Sequence, residues 1–300
     1  MSAAPELGLP APRRSTPVSH RVYAPSALGG GLHRFWSLTF MLARTEFKLR
    51  FFGSVFGYLW TLVRPLLFFG VLLLVFTQVF HVGSNKVPHY PEYLLTSIIL
   101  FTYFQETTSG SVASLVGREN LLRRVRFPRL AIPMSVALFS FFNLCMNLIV
   151  VFIFILASGV KPRLSWLELI PLIALLITLS AGVGMLLSAL YVRFRDIQPI
   201  WEVIAQLLWY GSPIIYTVQS VQDKHLPLTG LSFAHMLVIN PIGAIVTQAR
   251  KALLQPSAPS AAATLGSEVR LLIPLGIVAG VFALGLWYFN REAPLISEKL

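Results

Sequence analysis

Two carboxylates stand inside apolar runs. Glu106, beside Gln105, lies near the middle of an apolar stretch over residues 93–116, and Glu202 starts a stripe with Gln206 and Tyr210 at i, i+4 and i+8. A charge at that depth is costly, so each acid is either a functional site or a hydrogen-bonded tie between helices. Asn143 and Asn147, one turn apart, suit interhelical hydrogen bonds. A third candidate is the stretch GRENLLRRVRFPRLAIP over 117–133, with Arg118, Arg123, Arg124, Arg126 and Arg129 between two long apolar runs. Asn120 can cap a short helix and Pro128 forces Phe127 out of helical geometry, which predicts a helical elbow over 118–128. Such an elbow can take force from a soluble partner, or its arginines can serve only as a topology signal drawn to anionic lipid.

Little else could do chemistry. No GxxxxGK[ST], HExxH, CxxC or GxSxG is present, so no P-loop hydrolysis, zinc-protease or serine-hydrolase activity is expected of this chain. The six histidines are scattered, and the single cysteine, Cys145, reads as a small buried hydrophobe. No metal site and no cofactor are expected.

The elements that must position these residues are membrane spans. The chain has 300 residues, 55% hydrophobic and only 12% charged, far below the roughly 25% charged of soluble domains. The net charge of +12 does not form one face. Its basic residues punctuate apolar runs, which argues against nucleic acid and for topology. Residues 1–31 read as a disordered tail. Residues 32–52 form an expected interfacial helix, with Phe35, Trp36, Leu38, Thr39, Leu42, Ala43 and Phe47 on one side.

Spans are expected at about 57–82, 93–116, 130–157, 166–192, 197–218 and 271–289. In the first, Arg64 either snorkels to headgroups or faces a cavity. In the second, Gly110, Ser111 and Ser114 predict a packed interior helix. In the fourth, Ser180, Gly184 and Ser188 make a small-residue row for close packing. Gly211-Ser212-Pro213 should break the fifth. Two short helices within 219–253, the second with Asn240 as cap and Pro241 at its first position, should enter and leave the outer leaflet. Six spans put both termini beside the arginine loop, with 17 basic residues on that side and 7 on the other. The expected fold is therefore an all-α integral membrane protein.

The order of these parts resembles the permease subunit of ABC-2-type exporters, in the branch that moves polysaccharides such as O-antigen, capsule, teichoic acid or cell-wall galactan. The matching stretches are RTEFKLRFFGSVFGYLWTLVRPLLFF (44–69), LLRRVRFPRLAIPMS (121–135), YVRFRDI (191–197) with SPIIY (212–216), and INPIGAIVTQAR (239–250). Together they cover about residues 34–290.

The resemblance implies two copies of this chain and two copies of a separate ATPase that binds ATP and Mg. The ATPase would meet the 32–52 helix and the elbow residues Arg118, Glu119, Asn120, Arg123, Arg124, Arg126, Phe127, Pro128 and Arg129. A path would open between paired first and fifth spans in the bacterial cytoplasmic membrane. The diphosphate of a polyprenyl-linked glycan would start at Arg50 and Arg64. Its sugars would slide over Phe51, Phe52, Trp60, Phe68, Trp209 and Tyr210, beside Glu202 and Gln206. The helices in 219–253 would form an outer gate. Two other classes compete: a drug or small-lipid exporter of the same superfamily, and a proton-coupled carrier or embedded enzyme using Glu106 and Glu202.

Overall fold

A computed structural model describes residues 31–51, 57–79, 87–119, 128–222 and 232–299; the side chains of residues 51 and 294–299 are not described. The helices are α1 (Leu32–Phe51), α2 (Leu59–Leu74, continued by one wider turn over Val75–Val79), α3 (Tyr90–Val112), α4 (Ala131–Ala157), α5 (Leu169–Arg193), α6 (Ile197–Tyr210), α7 (Phe233–Ile239), α8 (Pro241–Leu253), α9 (Ala261–Leu265) and α10 (Leu272–Lys299). No strand is present among the described residues.

Four segments are long and apolar enough to cross a membrane: Leu59–Val79, Ala131–Ala157, Leu164–Arg193 and Val269–Ala293. The chain is an integral membrane protein. Helix α3, at 23 residues, also has the length to cross, but its threonines, serines and acids keep it from facing hydrocarbon. It is the buried axis instead. Its hydroxyls return to its own carbonyls: Thr96 to Glu92, Ser97 to Tyr93, Thr108 to Phe104 and Ser111 to Thr107, each within 2.8 Å. Back-bonding of this kind gives these buried hydroxyls a partner within the helix, while those of Tyr103 and Thr107 have none among the described residues.

Around α3 pack α2, α4, α5, α6 and α8, and α10 lies along α5. Close approach there depends on glycine. A Cβ on Gly182 of α5 would lie 2.7 Å from the Phe282 backbone of α10, and one on Gly285 would overlap the Gly182 carbonyl. The Ser180, Gly184, Ser188 row is fully buried in part through the same device: a Cβ on Gly184 would come 2.8 Å from Ser111 of α3.

Helix α1 covers the arginine-bearing end of this bundle. Phe35, Thr39 and Ala43 are its buried stripe, and Phe35 packs with Leu115, Leu130, Ala131, Ile132 and Phe289. Trp36, expected on that stripe, is exposed with Phe40 and Met41 on its flank, about 60° from Thr39 at the middle of the buried side. Cys145 is also exposed, contrary to expectation; an apolar neighbourhood in sequence does not mean burial when a helix faces lipid. Helix α6 ends at Tyr210, where 211-Gly-Ser-Pro-213 stops it as the sequence suggests, so only 14 residues of the expected 197–218 span are helical.

Candidate functional site

Helices α2 and α6 both rest on α3 and touch each other through Phe68 and Trp209, so that together with the exposed strip of α3 between them they bound a groove. Trp201 of α6 is buried against Phe104 of α3, with ring centroids 6.1 Å apart. Above that contact, Trp209 of α6 meets Phe68 of α2 at 5.8 Å, and Tyr210 stands edge-on to Trp209 at 5.0 Å. At 100° per residue, Glu202 lies within about 20° of Trp209 and Gln206 within about 60°, so both face the α2 side of α6. Both are exposed, and Gln198 on the same side reaches Glu202 at 3.5 Å. Gln105 and Ser109, also exposed, lie on α3 between Phe104, which faces α6, and Glu106, which meets Asn143 of α4 in a cavity that Pro65 of α2 also lines. Across the groove Arg64 is exposed and Phe68 nearly half exposed. Six predicted residues, Arg64 and Phe68 of α2 and Glu202, Gln206, Trp209 and Tyr210 of α6, thus come from two distant segments to flank α3.

Arg50 and Trp60 stand elsewhere on the same end of the bundle. Arg50 caps the Phe139 ring of α4 at 5.2 Å, and Trp60 is half exposed at the start of α2. The Phe51 side chain and Phe52 lie outside the described residues.

Behind the groove is a small cavity lined by Pro65, Thr102, Tyr103, Glu106, Asn143 and Asn147. Its polar groups form a ladder across three helices. Asn143 donates to Glu106 at 3.3 Å, and Asn147 donates to the Asn143 carbonyl at 2.8 Å and to the Thr61 carbonyl at 3.5 Å. Thr61 is four residues before Pro65, which has no N–H to give it, so Asn147 serves the carbonyl that proline strands. The two asparagines do what their spacing suggests.

This ladder makes Glu106 a tie between α3 and α4. Asn143→Leu is expected to cost about 1–3 kcal/mol by leaving that carboxylate without its donor. Glu106→Gln should cost less, since an amide oxygen still accepts from Asn143. Equal melting losses for the two variants in detergent would contradict the tie.

At the arginine end, the elbow falls largely outside the described residues, which exclude Asn120, Arg123, Arg124, Arg126 and Phe127. Its two roots are described. Pro128 and Arg129 are buried, and burial holds the Arg129 guanidinium below the usual arginine pKa. Arg118 turns inward: it pairs with Glu46 of α1 at 2.6 Å and donates to Ser135 of α4 at 3.0 Å. Glu119 is half-buried beside it.

At the opposite end, the irregular chain after Tyr210 is held by side chains that sequence reasoning missed. Tyr90 donates to the Ile215 carbonyl at 2.7 Å, and Tyr93 to those of Pro213 and Tyr216. Asn240 does two jobs. Its carbonyl accepts from Ile242 N at 3.1 Å, capping α8 with Pro241 at the first position, while its amide reaches Ser212 at 3.0 Å. Arg250 of α8, counted from sequence as an outer-loop charge, is buried over the Tyr93 ring and bonded to Gln219 and Gln255. No local pattern could announce Tyr93 and Arg250, because each needs a partner more than a hundred residues away.

With this geometry described, the comparisons with known proteins can be placed on it. The sequence matches the family ABC-2 type transporter over residues 37–247, from the middle of α1 to α8. The chain belongs to the ABC-2 type transporter family. Related proteins cover nearly the whole permease. An O-antigen export system permease protein RfbA of Klebsiella pneumoniae is 26% identical over 267 residues, 88% of this chain and 95% of that protein. Another RfbA, from Myxococcus xanthus, is 27% identical over 253 residues, 84% and 93% of the two chains. The polysialic acid transport protein KpsM of Escherichia coli is 23% identical over the same shares. As an ABC-2 permease the chain is the membrane subunit of a transporter, and the groove and the elbow roots both lie inside the matched region. Among the described residues no group of three or more His, Cys, Asp or Glu converges as a metal site would.

Proposed function

We propose that this permease is the transmembrane half of an ATP-driven exporter that moves a lipid-linked polysaccharide across the bacterial cytoplasmic membrane. Two copies work with two copies of a separate ABC ATPase, which binds ATP and Mg at the face carrying the arginines. The relatives' names supply the cargo class, and the groove supplies the physical support. Arg64, Gln105, Glu202 and Gln206 are exposed along apolar helices, where hydrocarbon would not tolerate them. They need a second protein wall or a polar cargo opposite.

The aromatic members favour a sugar cargo. Phe68, Trp209 and Tyr210 offer ring faces that sugars slide over without a fixed register, while Arg64 and Arg50 near the basic end suit a diphosphate. In this reading α3 and α6, the latter with its irregular continuation, complete six spans, both termini are cytoplasmic, and α7 and α8 form the outer gate.

The aromatic wall can be tested in vesicles containing the permease and its ATPase. Phe68→Ala combined with Trp209→Ala should lower polysaccharide export about tenfold while ATP turnover stays within about twofold. Unchanged export would remove the groove from the cargo path.

A further inference from the structure

We propose that Arg118 is an internal strut that passes movement of the elbow to the interfacial helix, and that it makes no contact with the ATPase. This rests on the proposed partnership with an ATPase. Both terminal nitrogens of its guanidinium are committed inside the chain, one to Glu46 on α1 at 2.6 Å and the other to Ser135 on α4 at 3.0 Å. Ser135 is itself fixed: it is almost wholly buried and donates to the Ile132 carbonyl at 2.7 Å. Arg118 is therefore a fork at the first root of the elbow, with one tine in α1 and one in α4.

What lies beyond Glu46 gives the fork a direction. One residue on, Phe47 packs against Tyr58, which immediately precedes α2, with centroids 5.2 Å apart, and against Phe139 of α4 at 6.4 Å. Helix α2 carries Arg64 and Phe68 of the groove. A displacement at Arg118 thus has a short contiguous route, through Glu46 and the end of α1 to the start of α2, into the cargo wall.

Stability does not explain the pair. Glu46 is 42% exposed, and ion pairs that open to solvent add little to folding. Helix α1 is already seated on the same end of the bundle by Phe35 packing with Leu115, Leu130 and Ile132. The pair adds register between α1 and the elbow, which apolar packing alone leaves free to slide. The arginine-to-ATPase role then falls to Arg123, Arg124 and Arg126.

Charge exchange separates a strut from a passive surface pair. The full-length chain with its ATPase is reconstituted in liposomes as wild type, Glu46→Arg, Arg118→Glu and the double exchange, and ATP turnover and export are read in the same vesicles. Each single reversal should raise the ATP consumed per glycan exported about tenfold, with ATPase recruitment unchanged. The double exchange should return the ratio to within about threefold of wild type. Glu46→Gln, which keeps the side-chain shape, guards against misfolding of the reversals and should raise the ratio about fivefold. An unchanged ratio in Glu46→Gln, or no recovery in the double exchange, would overturn the strut while leaving the exporter reading intact. A wild-type chain that recruits no ATPase would overturn both.

Discussion

Replacing Arg123, Arg124 and Arg126 together by glutamate is expected to cut export about a hundredfold, because three reversed charges at the proposed docking surface would cost several kcal/mol. The ATPase should no longer co-purify, and its residual turnover should no longer respond to cargo. Membrane insertion should survive, since the basic residues near both termini and in the 193–195 turn still mark the same side. The check is co-purification followed by export in vesicles. Normal complex and normal export in this variant would return the three arginines to a topology role alone, and the elbow would lose its place in the mechanism.

The second large effect is expected far from any charge. Gly182→Leu should abolish the stable fold, because its side chain would begin 2.7 Å from the Phe282 backbone and nothing flexible is there to yield. Overpacking that has to move a whole helix costs about 3 kcal/mol or more. Helices α5 and α10 would part along the small-residue seam that holds them together without a hydrophobic drive. Gly276→Leu on α10 is the control: it has open space around its Cα and faces outward, so it should melt with wild type. Gel filtration and thermal unfolding in detergent read both variants. A Gly182→Leu protein as stable as Gly276→Leu would mean that α5 and α10 do not meet as described.

Local chemistry was legible. Asn143 with Asn147, Ser180 with Gly184 and Ser188, the break at Gly211-Ser212-Pro213 and the Asn240-Pro241 cap each declare themselves by spacing or by backbone rules, and each stands where those rules put it. Orientation around a helix was less legible. In a soluble protein the apolar side of a helix is the buried side, but lipid is as apolar as a core. Hydrophobicity therefore did not tell Trp36 or Cys145, both exposed, from Phe35, which is buried. The polar residues were the better guide, since α3 is recognisable as the interior helix by the hydroxyls and acids it has to hide.

Long-range pairing was not legible. Arg118 reads as one of five arginines in a loop, and only the fold shows that it turns back to Glu46, 72 residues earlier, while its neighbours belong to the elbow. The same holds for Tyr93 with Pro213 and for Phe68 with Trp209, pairs that join separate apolar runs across the bundle. The family resemblance names Arg64, Phe68, Glu202, Gln206, Trp209 and Tyr210, but how α2 and α6 stand against α3 is set by two contacts that no spacing encodes: Trp201 on Phe104, and Pro65 against the ladder of Asn143 and Asn147. Once those seat α6 and α2 on α3, the polar stripe of α6 has one direction to face.

The central claim is that this permease is driven by a partner. The most direct measurement is affinity purification of the tagged chain in mild detergent from its own membranes, with ATP turnover measured on what is recovered. The expected result is a P-loop ATPase in a one-to-one ratio with the permease and turnover that disappears when the ATPase is inactivated. Recovery of the permease as a homo-oligomer free of any ATPase, still competent for transport, would contradict it and would move Glu106 and Glu202 to the centre as proton-carrying groups.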